Sequence, residues 1–238
     1  MKIAVIGCGN MGGAIVKGLY ESGLCSASEL FCADVLPQNL DAMKAIDAGI
    51  YVSNVNAEVV KLADYVILAV KPWLMNEVLD SIFSVLDLKK HTLISIAAGV
   101  ELAQIRTKLA ANFTLFRVLP NTAIALRQSM TFVSSLNASA EQETSVLSIF
   151  SQLGKAIVIP ESQMAAYTSI SSCGIAYALR YVRAAVEGSV ELGIRPDIAQ
   201  EVIAQTIMGA ASLLLNNKEN AEVEVDKVTT PGGWTIKG

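Results

Sequence analysis

KIAVIGCGNMGGAIVKGL, residues 2–19, changes its hydrophobic period in the middle. Residues 2–6 form a short apolar run of β character, bounded by Gly7 and too short for a helix. From Met11 the apolar positions are Met11, Ala14, Ile15, Gly18 and Leu19, the i, i+3, i+4, i+7, i+8 stripe of a helix lying on a sheet, and Gly23 can close it. The stretch therefore reads strand, tight turn, helix, with Gly7-Cys8-Gly9-Asn10-Met11-Gly12 spelling G-x-G-x-x-G at the turn. The three glycines differ in purpose. Gly7 permits the sharp turn, Gly9 the close approach of a pyrophosphate to the main chain, and Gly12 the packing of helix on strand. Unpaired N–H groups and the dipole at the helix start complete an anion site.

The same alternation continues downstream. Strands are expected at 29–34, 65–72, 92–99, 114–121, 131–135 and 156–160, with helical periods between most of them. Near-continuous apolar strands separated by helices specify an α/β fold, a Rossmann-like and mostly parallel sheet covered on both faces. After Pro160 the pattern is helical to about residue 216, interrupted at 193–197, where Gly193 ends one helix and Pro196 suits the start of the next. Two domains follow: a dinucleotide-binding domain over 1–160 and an all-helical C-terminal dimerisation and substrate domain over 161–238. Ile198, Val202, Ile203, Ile207, Ala210, Ala211, Leu213 and Leu214 make the last long helix apolar nearly all round, so a second subunit is expected to cover it.

Composition narrows the partners. The chain has 238 residues, 53% of them hydrophobic, and a net charge of −4 from 18 basic and 22 acidic side chains with no basic block. Nucleic acid is not expected as a partner. Its wholly apolar runs fall short of the ~20 residues that span a bilayer, so no membrane partner is expected either. Cys8, Cys25, Cys32 and Cys173 show neither metal spacing nor disulfide density. They read as small core hydrophobes in a reducing setting, and with no signal-peptide pattern a soluble, cytoplasmic protein without metal is expected.

Asp34 ends the second strand about twenty residues past the last motif glycine, where a carboxylate accepts hydrogen bonds from an adenosine ribose. It would oppose a 2′-phosphate, and residues 34–39 contain no arginine to offset it. NAD(H) is therefore favoured, with NADP(H) kept open. As an alternative, Asp34 only caps the following helix.

Several further motifs converge. "IGCGNMGGA" (6–14), "LAVKP" (68–72), "SIAAGV" (95–100), "RVLPNT" (117–122), "SSCGIAY" (171–177) and "VTTPGGWTIKG" (228–238) resemble, in order and approximate spacing across the whole chain, the pyrroline-5-carboxylate reductase family. That resemblance implies an NAD(P)H-dependent oxidoreductase that reduces the C=N bond of 1-pyrroline-5-carboxylate to L-proline, a small-molecule imine substrate, and a homodimer or higher homo-oligomer through the C-terminal helices. It places Ile6, Gly7, Cys8, Gly9, Asn10, Met11, Asp34, Asn56, Ala69, Val70, Lys71, Pro72, Ile96, Ala97 and Ala98 against the dinucleotide. It places Thr230, Gly232, Gly233, Trp234 and Thr235 against the substrate, and brings Glu219 near it. The sequence departs from the family at Ala123, where proline is usual, in the 171–177 segment, and at Trp234, where a small residue is usual.

Imine reduction needs a hydride donor, a proton or hydrogen bond at nitrogen and a grip on the carboxylate. Thr235 is the choice for the group near nitrogen, the other reading being an N-cap of a short terminal helix. Residues 229–233 offer two hydroxyls and a glycine pair able to turn N–H groups towards a carboxylate, or else form a plain turn. Lys71 either attracts an anion at the ligand edge or extends to water. Tyr177 reads as a packing residue. His91, in polar "DLKKHT", reads as a surface turn without catalytic role. Two other readings stay open: a related imine reductase or hydroxyacid dehydrogenase with another substrate, and a non-catalytic dinucleotide-binding relative.

Overall fold

The computed structural model describes residues 1–237. Eight strands form one sheet: β1 Ile3–Ile6, β2 Leu30–Ala33, β3 Tyr51–Ser53, β4 Tyr65–Leu68, β5 Thr92–Ser95, β6 Leu115–Leu119, β7 Ser129–Leu136 and β8 Gly154–Val158. Their order across the sheet is β3-β2-β1-β4-β5-β6-β7-β8, and only the β6–β7 pair is antiparallel. Period-2 alternation explains the double coverage. In β1, Ile3 and Val5 join the core that contains Ile15, Val16 and Leu19 of α1 (Asn10–Glu21), whereas Ala4 and Ile6 join the opposite core with Val59 and Val60 of α3 (Asn56–Leu62).

The connection from β1 to β2 runs to one side of β1, and the chain then returns from β3 to β4 on its other side. The carboxyl ends of β1 and β4 thereby flank a topological switch point, the place where open sheets of this kind bind ligands. Two helices near this edge cover opposite faces: α2 (Pro37–Ile46), which follows β2, and α4 (Met75–Ile82), which follows β4. Further along the sheet α5 (Leu102–Arg106) follows β5 and packs on the face of α3 and α4, and α6 (Ala140–Ser151) joins β7 to β8 on the face of α1.

Most expected strands are present, but several are shorter than the apolar runs that announce them. The 65–72 run leaves the sheet after Leu68, and the 92–99 run after Ser95. Residues 69–72 and 96–98 continue past the sheet edge as cavity wall, which is why apolar composition alone overextends them. β3 was not expected: three edge residues, the first of them exposed, carry too little alternation to register. In α1 the buried stripe includes Val16, which the expected periodicity left out, while Met11 and Ala14 are only partly buried.

α7 (Met164–Ile170) packs with the sheet. Met164 joins Phe132 and Ile159 in a small core, the Phe132 and Tyr167 rings lie 4.5 Å apart, and Glu161 Oε1 accepts from Arg117 Nη1 (3.0 Å) and the Leu102 N–H (2.8 Å). Compactness accordingly divides the chain into Met1–Ile175 and Ala176–Gly238, later than the expected boundary at 160. The second unit holds most of α8 (Ser172–Glu191), then α9 (Pro196–Asn217) and α10 (Ala221–Val228). Gly193, at φ +82, ends α8, and Pro196 is the first residue of α9. α9 leaves Val202, Met208 and Leu215 exposed, the last at 73%. At 22 residues it is also long and apolar enough to cross a membrane by length and composition, although its wholly apolar runs are short.

His91 corrects its expectation. It is buried, at 3% exposure, between two backbone groups: Nδ1 accepts from the Asp87 N–H (2.9 Å), and Nε2 lies 3.1 Å from the Val60 carbonyl. Its charged neighbours point outward while the ring turns in. Burial, followed by the Lys90 charge, pushes its pKa below the usual 6.5. Geometry agrees, because a proton on Nδ1 would face the Asp87 N–H donor. With the native pKa depressed, the unfolded chain binds more protons below pH 6.5, so the stability contributed by neutral His91 is complete above that value and lost as pH falls towards the native pKa. The urea midpoint is expected to drop on acidification from about pH 7.5 to about pH 5.5, and His91→Gln to show a smaller drop than the parent. Equal drops in both proteins would remove His91 from the acid response.

Candidate nucleotide and substrate sites

The glycine corner is a tight backbone knot. Gly7 sits at φ +91 with its N–H donating to the Ala33 carbonyl (2.8 Å), and a Cβ there would come within 2.7 Å of the Ala69 carbonyl oxygen. A Cβ on Gly12 would overlap the Gly7 carbonyl oxygen. Protein packing therefore explains two of the three motif glycines. It does not explain Gly9, whose added Cβ would meet nothing within 4 Å. Gly9 precedes the first residue of α1 and offers no side-chain cap, so the first N–H groups of that helix keep their capacity for an anion.

A cavity of about 950 Å³ opens over this corner, ample for a dinucleotide. Ile6, Gly7, Gly9, Asn10 and Met11 line it from the β1 side, Asp34 from β2, Asn56 from the start of α3 and Ala69, Val70, Lys71 and Pro72 from the end of β4. Ile96, Ala97 and Ala98 line it from the end of β5. All the expected dinucleotide residues thus share one cavity except Cys8. Its side chain is buried, with Sγ against the Val5 and Ala33 carbonyls, and its N–H is already given to Asp34. A hydrogen bond with Cys32, then burial, raises the Cys8 pKa strongly, so it stays a thiol. Cys8 supports the wall from behind.

Asp34 is bound more fully than its sequence position suggests. Oδ2 accepts from the Cys8 N–H (2.7 Å) and from Asn39 Nδ2 (3.0 Å), and Oδ1 accepts from the Leu36 N–H (2.8 Å). The carboxylate thus ties the glycine loop to the first turn of α2, and it is not the N-cap of that helix, a place taken by Leu36. Sequence reasoning missed Val35, Leu36, Asn39, Glu77, Val78, Ser81, Thr122 and Ile124, which also line this cavity. Of the side chains lining this cavity, Lys71 alone is cationic, and Asp34 and Glu77 are anionic. Lys71 stands at the end of β4, with β1 between it and the β2 end where Asp34 lies.

The expected substrate segment lies in the second compact unit. Thr229 closes α10, its Oγ1 donating to the Val225 carbonyl (2.8 Å), and Gly232 adopts φ +72. The Gly233 N–H closes the turn onto the Thr230 carbonyl (3.0 Å), as in the plain-turn reading of this segment. A Cβ on Gly233 would lie 2.5 Å from Thr230 Oγ1, so the hydroxyl folds over the turn. Trp234 is 90% exposed with Lys237 Nζ 5.4 Å from its ring centre. Thr235 is the first residue of the short 3₁₀ turn Thr235–Lys237, not the cap before it. Tyr177 is exposed rather than packed within the chain. Among the described residues no cluster of three metal-ligating side chains occurs.

A doubly wound sheet with this corner and this cavity defines an oxidoreductase that uses a pyridine nucleotide. Residues 161–238 match the family described as pyrroline-5-carboxylate reductase dimerisation, and residues 2–99 match NADP oxidoreductase coenzyme F420-dependent. The chain belongs to the pyrroline-5-carboxylate reductase family. It is 35% identical over 238 residues to the pyrroline-5-carboxylate reductase of Methanosarcina acetivorans, covering 100% of this chain and 87% of that protein. It is 36% identical to pyrroline-5-carboxylate reductase 1 of Dictyostelium discoideum over 99% of this chain, yet spans only 44% of that protein's length. The structure of a pyrroline-5-carboxylate reductase from Coxiella burnetii superposes with a TM-score of 0.92 at 28% identity, covering 99% of this chain and 87% of the other. The dimerisation match, which covers the residues of α9, supports homo-oligomerisation.

Proposed function

We propose that this protein reduces 1-pyrroline-5-carboxylate to L-proline, that it prefers NADH to NADPH, and that it works in a reducing, cytoplasmic setting as a homodimer or higher oligomer. The observation that carries the reading is the cavity over Gly9, open where protein packing needs no glycine and lined by the residues that the resemblance assigns to the dinucleotide. A reduced nicotinamide held there would supply the hydride that imine reduction requires. The chain's own residues do the rest. Gly7, Gly9 and the start of α1 receive the diphosphate, and Asp34 receives the adenosine ribose. Thr235 holds a hydrogen bond at the imine nitrogen, and Gly232 with Thr230 accommodates the carboxylate.

The preference for NADH rests on charge. A 2′-phosphate beside Asp34 brings two negative groups together, and Lys71 stands at another strand end. The match over residues 2–99 is named for NADP, so the support for NADH in this chain is the carboxylate of Asp34 on the cavity wall. Steady-state turnover of pyrroline-5-carboxylate with each reduced nucleotide is the direct test, and turnover of neither with this imine would end the proposal. Asp34→Ser is expected to raise the NADPH-to-NADH ratio of kcat/KM by about tenfold. Because Asp34 also holds the Cys8 N–H, loss of loop order affects both nucleotides, and the ratio isolates the phosphate. An unchanged ratio would remove Asp34 from cofactor choice.

A further inference from the structure

The acceptor capacity of Asp34 is nearly spent before any nucleotide arrives. A carboxylate has about four acceptor positions, two on each oxygen. The Cys8 N–H and Asn39 Nδ2 fill both on Oδ2, and the Leu36 N–H takes one on Oδ1. One position remains. A ribose diol brings two hydroxyls, so one carboxylate held in this way cannot accept from both.

Asn39 lines the same cavity wall as Asp34, in the first turn of α2. Its amide orientation is set by chemistry: the carboxylate only accepts, so the nitrogen must face Asp34, and the oxygen is held on the other branch as an acceptor. We propose that Asn39 is a second ribose-binding and specificity-determining side chain, accepting from one adenosine ribose hydroxyl through Oδ1 while Asp34 Oδ1 accepts from the other. The two residues then form a clamp that reads an unmodified diol. A phosphorylated hydroxyl has no proton to donate to either acceptor, so the clamp penalises it by lost hydrogen bonding in addition to charge.

The inference rests on the reading that the adenosine ribose lies at Asp34, and binding measurements separate the two. Dissociation constants from calorimetry, without substrate, would be compared for NADH and for analogues whose adenosine ribose lacks the 2′- or the 3′-hydroxyl. The parent protein is expected to lose about tenfold in affinity for each analogue. Asn39→Ala is expected to bind NADH about tenfold more weakly, to be indifferent to removal of one hydroxyl and to keep the full loss for the other. Asp34→Ser should show the complementary indifference. If Asn39→Ala binds NADH like the parent, or if both hydroxyls keep their full effect in it, the Asn39 assignment fails while that of Asp34 stands. If the parent discriminates against neither analogue, both fail. A melting temperature equal to the parent's shows that the half-buried Asn39 can be replaced without unfolding, and Asn39→Ser provides a second variant should alanine loosen the turn.

Discussion

Gly9→Ala is expected to bind reduced nucleotide at least about tenfold more weakly while melting close to the parent, and Gly12→Ala is expected to lose the fold. The contrast follows from what an added methyl would touch. At Gly9 it meets no protein atom within 4 Å and the position lines the cavity, so the cost appears when a diphosphate must approach the main chain. At Gly12 it drives into the Gly7 carbonyl oxygen, with the Ala69 methyl at 3.1 Å on another side. Neither neighbour is the end of a flexible side chain, and Gly7 is pinned at φ +91 with its N–H bound to Ala33. Relief requires moving α1 off β1, and a cost above about 3 kcal/mol is expected from overpacking of this kind. Calorimetric titration with NADH and thermal melts of the two variants check the pair. A Gly9→Ala protein that binds normally would mean the diphosphate does not cross this corner. A Gly12→Ala protein that melts like the parent would mean the corner is looser than its geometry.

This pair also shows why part of the site could be read from sequence. Glycine spacing reports backbone constraints that act within a few residues, so Gly7, Gly9 and Gly12 announce themselves between a strand and a helix. Asp34 is equally visible, because parallel β1 and β2 with one helix between them fix its distance along the chain. Asn39 has no such signal. Its role depends on the first turn of α2 folding back onto a carboxylate, and asparagine near a helix start is ordinary. Glu77, Val78 and Ser81 come from α4, whose meeting with the start of α3, where Asn56 Nδ2 donates to Ser81 Oγ (3.0 Å), is a property of the assembled fold. His91 misled for a related reason: Asp87, Lys89 and Lys90 are polar and face water, while the ring among them turns inward to Val60. The apolar surface of α9 was legible as a demand for a partner, and the match of residues 161–238 to a dimerisation family is consistent with one.

Thr235→Ala is expected to lower kcat by on the order of a hundredfold and to change KM for the imine much less. Hydride addition leaves an electron pair on nitrogen, and the barrier depends on whether a proton or a hydrogen-bond donor is already there. The sole histidine, His91, cannot serve, since it is buried between Asp87 and Val60. In the proposed function that donor is the Thr235 hydroxyl; Trp234 is exposed within the chain, and the Gly233 N–H is used inside its own turn. Protonation of the imine from solvent makes a testable complication. At low pH the substrate arrives already carrying its proton, and the hydroxyl only positions it; at higher pH the hydroxyl must help deliver one. The ratio of parent to Thr235→Ala kcat is therefore expected to widen as pH rises, and Thr235→Ser, which keeps the hydroxyl, to restore most of the rate. A loss confined to KM, or a ratio flat across pH, would reduce Thr235 to a binding contact and leave the proton to water.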